Sequence, residues 1–154
     1  MPEPLTFQVT FDARDPHAQA RFWAQVLHYE VEDQHDLVST LLDQGVVGDD
    51  DVVEVDGRKA FKVGAGISAP GDGPTGGTYP RVLFMGVPEQ KQVKNRVHLD
   101  VRVPGSGEDG GMAVLEAEAA RLEELGAKEL YRHDEADGRW ITMADPEGNE
   151  LCVH

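Results

Sequence analysis

Two stretches of this chain alternate cleanly between apolar and polar residues, and the same succession of elements follows each. Leu5–Ala13 sets Phe7, Val9 and Phe11 on one side and Gln8, Thr10 and Asp12 on the other. Asn95–Val103 sets Val97, Leu99, Val101 and Val103 against His98, Asp100 and Arg102. A period of two over that length predicts a strand with one buried side. Behind the first stretch, Asp15 and Pro16 read as the N-cap and first residue of a helix running to about His28. Its Phe22, Trp23, Val26 and Leu27 form one apolar stripe. Behind the second, the Gly-rich loop Pro104–Gly111 leads to a helix from about Met112 to Leu125. Ala113, Leu115, Ala119, Leu122 and Leu125 make its stripe, and Gly126 takes the left-handed position just past its end. Strands follow each helix. Two or three strands in succession favour mixed sheets over a wholly parallel one, so the order predicts an α+β fold of two strand–helix–strands modules.

The remaining elements fill in that frame. Tyr29–Asp33 reads as a short strand, and Asp36–Gln44 as a helical turn or two closed by Gly45. Val52–Val55 and Lys59–Val63 read as strands around an Asp56-Gly57 turn, and Arg81–Val87 as a further strand. Gly64–Tyr79 is crowded with Gly and Pro, which predicts an irregular, mobile surface loop, with a lid over the pocket as the alternative to a plain loop. It lacks both the Lys-Ser/Thr ending of a phosphate loop and a spaced dinucleotide fingerprint. Lys128–His133 is a strand, and the chain closes on a hairpin. In that hairpin Trp140–Ala144 and Glu150–Val153 flank the turn Asp145-Pro-Glu-Gly148. Proline presets φ in such a turn, the Asp side chain bonds the backbone ahead of it, and glycine takes positive φ. Leu151 and Val153 then point one way, and Glu150, Cys152 and His154 the other. The expected organisation is one domain over residues 1–154, with module one at about 5–88 and module two at about 95–154.

Charge narrows the partners. Asp and Glu number 29 against 14 Lys and Arg, a formal charge of −15, which repels nucleic acid and anionic membranes. It favours a cationic ligand over an anionic one, although acidity most often serves solubility. Cys152 is the single cysteine, so no internal disulfide forms and a reducing compartment is expected. The first residues lack the basic and apolar regions of a secretory signal, and no apolar run reaches membrane-spanning length. The expectation is a cytoplasmic protein.

Several of these features occur together in one known family. The Asp145-Pro-Glu-Gly-Asn-Glu-Leu151 ending, the Val87–Asp100 run with its Asn95-Arg-Val-His-Leu-Asp100 strand, and the Asp15-Pro16 helix start leading to Phe22-Trp23 carry the likeness. With the modular order, they resemble the glyoxalase/bleomycin-resistance/dioxygenase superfamily, also called the vicinal oxygen chelate proteins, in its glyoxalase-like branch. The resemblance implies two βαβββ modules whose sheets curve as a half-barrel around a ligand pocket, with helices outside. It also implies a small-molecule ligand and pairing into a homodimer. Metal-using members bind one divalent ion through four side chains, commonly His, Gln and Glu. Matched by position, these become Gln8, Met85, His98 and Cys152, with Gln8 superposing on His98 and Met85 on Cys152. A thioether and a thiol are soft ligands and do not replace carboxylates, so no stoichiometric metal or other cofactor is expected. The alternative is zinc or nickel held weakly by Gln8, His98 and Cys152.

Two functions follow from the resemblance. In the first, an enzyme of lyase or isomerase type acts on a small oxygenated metabolite. His98 is its acid/base or orienting residue, and Gln8, Thr10, Met85, Asp100, Trp140, Glu150 and Cys152 line the ligand. In the second, a metal-free protein of the bleomycin-resistance type sequesters a cationic ligand. Against both stands a plainer account, in which the pocket is vestigial and the protein serves through its dimer interface. There His98 is a polar residue on a solvated sheet face, Cys152 a small hydrophobe, Met85 core filler, and Asp100 a surface partner of Arg102.

Overall fold

The computed structural model describes residues Met1–His154. The chain forms two compact units, Met1–Glu89 and Gln90–His154. The first runs β1 (Val9–Ala13), α1 (Pro16–Leu27), β2 (Glu30–Val31), α2 (His35–Asp43), a 3₁₀ turn at Asp49–Asp51, β3 (Val52–Val55), β4 (Arg58–Phe61), β5 (Gly64–Ser68) and β6 (Val82–Gly86). Its main sheet has the order β1-β6-β5-β2, with β1 and β6 parallel and the other neighbours antiparallel. The second unit runs β7 (Leu99–Val101), α3 (Gly111–Glu124), β8 (Lys128–Glu135), β9 (Gly138–Ala144) and β10 (Glu150–Val153). Its sheet has the order β7-β10-β9-β8, again with the first and last strands parallel. With α2 and the β3–β4 hairpin set aside as an insertion, both units are βαβββ modules. The α+β architecture expected from the element order is the one the chain adopts.

Local chemistry explains the first unit. Asp15 Oδ1 accepts the Ala18 N–H at 2.9 Å, Pro16 opens α1, and the helix ends on His28 in the left-handed region. Phe22, Trp23 and Val26 are buried as the stripe predicts. Phe11 packs against Trp23 and Phe84, with ring centroids 5.0 and 5.4 Å apart, so one side of β1 faces the helix. Asp56 and Gly57 both have positive φ, as a two-residue hairpin turn between β3 and β4 requires. β1 itself begins at Val9, not Leu5, and Phe7 is 68% exposed. Its neighbour β6 begins only at Val82, and the register puts Pro80, which has no N–H, opposite Phe7, so the ladder does not extend.

The Gly64–Tyr79 loop is corrected in its first third. Gly64–Ser68 is β5, buried along its whole length between β6 and β2. Its residues are small because space is scarce there. A Cβ on Gly66 would lie 2.2 Å from Glu32 Oε2 and 2.5 Å from Arg81 Nη2, so glycine makes room for that ion pair over the strand. A strand buried on both faces shows no alternation, and its glycines read as loop. Only the remainder, 69–79, is turns and irregular chain. Gly66→Ala is expected to displace the mostly covered Glu32–Arg81 pair and cost roughly 2 kcal/mol, seen as a lower denaturant midpoint. A midpoint equal to wild type would mean that the pair moves aside freely.

In the second unit β7 is also shorter than its alternation suggests, because β10 supplies just three partners, Leu151, Cys152 and Val153. Val97 lies outside the ladder and is exposed. Leu115, Ala119 and Leu122 of α3 pack with Ile141, Met143, Leu151 and Val153 in the buried core, whereas Ala113 and Leu125 of the expected stripe are exposed. The closing turn is built as read. Asp145 Oδ1 accepts the N–H groups of Glu147 and Asn149, its Oδ2 accepts Asn149 Nδ2–H, all at 2.9 Å, and Gly148 has φ +90°.

Strand registers correct one expected superposition. Thr10 pairs with Leu83, and Asp100 pairs with Cys152. If Gln8 is laid on His98, Leu83 therefore takes the place of Cys152, and Met85 falls two residues beyond it.

Candidate functional site

The second sheet gathers polar groups because of its register. Asp100 faces Cys152 on the parallel neighbour, Cys152 faces Thr142, and Thr142 faces Tyr131. Register partners project to the same face, so these four side chains cross four strands in one row. His98 precedes Asp100 by two residues, and Trp140 precedes Thr142 by two. All six line a cavity of about 340 Å³, together with Lys94, Glu150 and His154.

Two short contacts order one end of this cavity. The ring Nδ1 of His98 lies 2.8 Å from Asp100 Oδ1. An ionised carboxylate only accepts, so Nδ1 carries the proton and the neutral ring keeps Nε2 as an acceptor. Cys152 Sγ lies 3.3 Å from Thr142 Oγ1. Burial pushes the Cys152 thiol above its ordinary range; the Thr142 hydroxyl opposes this, while the Asp100 carboxylate adds to it. The sulfur is thus a thiol at neutral pH and no ready nucleophile.

Glu150 organises the other end. Its carboxylate accepts the Asn95 N–H at 2.9 Å and lies 3.3 and 3.4 Å from the ammonium groups of Lys91 and Lys94. Desolvation alone would raise its pKa, but the Asn95 N–H and Lys91 outweigh it and hold the group at about 2. Between the two ends, Trp140 stacks on His133, centroids 3.8 Å apart and planes within 20°. Its ring forms a fixed aromatic wall.

Of the residues singled out in the sequence, the structure brings His98, Asp100, Trp140, Glu150 and Cys152 to one cavity. Gln8, Thr10 and Met85 belong to the first unit. Gln8 is exposed; its Nε2 donates to Thr10 Oγ1 at 3.4 Å and its Oε1 accepts from Arg81 at 3.1 Å. Met85 lines a separate cavity of about 300 Å³ with Glu32, Leu83 and Arg81. There Arg81 grips Glu32 through Nε and Nη2 at 2.7 and 2.6 Å, and Ser68 hydrogen-bonds the same carboxylate. This charge pair, like Lys94, Tyr131 and Thr142, escaped the sequence reading, whereas His154 falls on the side expected of it beside Glu150 and Cys152. Alternation from Trp140 was enough to place Thr142 on the cavity side. Tyr131 could not be placed that way, since an irregularity between Glu129 and Tyr131 shifts the register of β8.

The donor set for a metal also changes. One ligand atom each from His98, Asp100 and Cys152 lie within 4.8 Å of one another. Asp100 supplies the carboxylate that the set Gln8, Met85, His98 and Cys152 lacked. Nitrogen, oxygen and sulfur donors with room for a fourth ligand suit zinc or nickel; magnesium and manganese prefer several oxygens.

Paired βαβββ modules, one with a polar cavity on its sheet, define the vicinal-oxygen-chelate class of fold. The sequence profile of the glyoxalase-like domain matches residues 8–154, and the chain belongs to that family. Among solved structures, a glyoxalase/bleomycin resistance protein/dioxygenase family enzyme from Burkholderia phytofirmans PsJN is 12% identical, with 95% of this chain and 94% of that one covered and a TM-score of 0.57. The fosfomycin resistance protein FosX from Mesorhizobium loti is 17% identical over 100% and 92% of the two chains, at 0.55. The bleomycin-binding protein of Streptomyces verticillus, solved with copper(II)-bleomycin, is 17% identical over 99% and 97%, at 0.51. At such identities the likeness is one of fold. No curated protein matches the chain.

Proposed function

We propose that the cavity of the second unit binds a small oxygenated metabolite and that His98, oriented by Asp100, moves a proton on it. The observation that carries this reading is the 2.8 Å contact between His98 Nδ1 and Asp100, with the ring half-exposed on the cavity. His98 Nε2 takes a proton from carbon beside a carbonyl, the electron pair passes into the carbonyl as an enolate, and the imidazolium is stabilised by Asp100. Return of the proton to another atom completes an isomerisation. Trp140 and Tyr131 wall the ligand, and Thr142, bonded to Cys152, forms part of the cavity floor. A zinc or nickel ion held by His98, Asp100 and Cys152 would supply a Lewis acid that polarises a ligand oxygen, but it would take the His98 lone pair, so it stands as an alternative to the His98 base and not as its helper.

The test is exchange of the ligand's α-proton for deuterium, followed by NMR across a panel of α-hydroxy ketones and α-hydroxy acids. His98→Asn is expected to slow exchange by on the order of 10²-fold, and Asp100→Asn by less. Exchange at the wild-type rate in His98→Asn would overturn the reading.

Sequestration of a cationic ligand is the second reading, motivated by the charge of −15. Against it, both carboxylates of the cavity are already partnered, Asp100 by His98 and Glu150 by Lys91 and Lys94. Thermal stabilisation by a cationic glycopeptide without exchange would favour it. In either reading the protein works as a cytoplasmic homodimer, which light scattering on the purified chain tests. No helix is long and apolar enough to cross a membrane.

A further inference from the structure

We infer that the ligand of this cavity is a small organic carboxylate and that Lys94 reads its charge; the inference rests on the cavity being the ligand site. Glu150 has more donors than it needs. The Asn95 N–H at 2.9 Å and Lys91 at 3.3 Å satisfy its carboxylate, and the side chains of Lys91 and Glu150 are only 21% and 12% exposed. Lys94 adds a single contact at 3.4 Å, and its side chain is 67% exposed. Such a long, wet ion pair holds a lysine weakly. Two ammonium groups therefore serve one carboxylate, and the more exposed of them lines the cavity. The third charged group of the lining, Asp100, is engaged by His98. Lys91 alone balances Glu150, so Lys94 is the surplus cation at that end of the cavity, while Asp100 keeps its negative charge beside His98 at the other.

The overall charge of −15 points the other way, so distance has to decide between them. At physiological ionic strength the screening length is about 8 Å, which fades the field of remote surface carboxylates. A direct ammonium–carboxylate contact at the mouth of a partly dry cavity is screened far less. The local cation governs what binds, while the surface charge lowers the rate of encounter. A volume of about 340 Å³ sits at the small end of ligand pockets. It suits a carboxylate carrying a hydroxyl or carbonyl beside it, with that oxygen function toward His98 and a flat or apolar part against Trp140 and Tyr131.

The experiment titrates the protein calorimetrically with α-hydroxy carboxylates, mandelate as the aromatic member, each against its primary amide. Carboxylates are expected to bind at least tenfold more tightly than their amides. In Lys94→Gln the carboxylates lose more affinity than the amides, so that preference disappears, and Lys94→Arg retains part of it. Lys91 and Asn95 still hold Glu150 in these variants, so their unfolding midpoints stay near wild type. Equal binding of carboxylate and amide to wild type, with both lost in His98→Asn, would sink the charge assignment and leave the pocket standing. An undiminished preference in Lys94→Gln would do the same. If neither compound class binds wild type at all, the ligand reading of the cavity falls and this inference falls with it.

Discussion

Replacing Asp145 by alanine is expected to destabilise the protein by about 3–4 kcal/mol, measured by denaturant unfolding. The side chain is 3% exposed and accepts three hydrogen bonds, two from backbone N–H groups and one from the Asn149 amide. Each buried donor left without a partner costs about 1–3 kcal/mol, and water reaching the edge of the turn relieves part of the sum. Asp145→Asn keeps one acceptor oxygen and should lose less. The damage also reaches the cavity. β10 begins five residues later, and its placement beside β7 sets Cys152 against Asp100. Ligand binding should therefore weaken before global unfolding does. A stability within 1 kcal/mol of wild type would show that the turn is held by Pro146 and Gly148 alone.

Zinc added to the protein is expected to bind weakly near pH 6 and on the order of a hundredfold more tightly near pH 8. The reason lies in the thiol. Cys152 is held above its ordinary pKa by burial and by Asp100, so over this range it remains protonated, and zinc must expel the proton. Below the pKa of a ligand, each pH unit contributes about a factor of ten to the apparent affinity. The same cost predicts that protein purified without an affinity tag carries no stoichiometric metal, which elemental analysis checks. Cys152→Ala should remove most of the pH dependence, and Asp100→Asn should weaken zinc by about 10- to 100-fold. Gln8→Ala should do neither if the donors are His98, Asp100 and Cys152. One metal per chain at isolation would contradict the cost assigned to the thiol, and a Gln8 variant that loses zinc would contradict this donor set.

Much of this site follows from alternation within single segments. His98 and Asp100 share a side of their strand, and Glu150 and Cys152 share a side of theirs, because successive side chains point oppositely. The Asp15 cap, the positive-φ pair Asp56-Gly57 and the Asp145 turn were legible for the same reason, since each interaction spans only a few residues. Gly64–Ser68 was misread because its composition answers to something distant, the Glu32–Arg81 pair pressed over Gly66.

Sequence alone determined that His98 shares a side with Asp100 and Glu150 with Cys152, the α+β order and the family. Tertiary structure decided which strands are neighbours and in what register. Asp100, Cys152, Thr142 and Tyr131 share one row only because β7, β10, β9 and β8 lie side by side in that order. A slip of two residues preserves every alternation, yet it exchanges Met85 for Leu83 opposite the first strand. It also decides whether a carboxylate stands beside the thiol. Period-two patterning is blind to that slip; the lengths of the strands and the packing of the core beneath them resolve it.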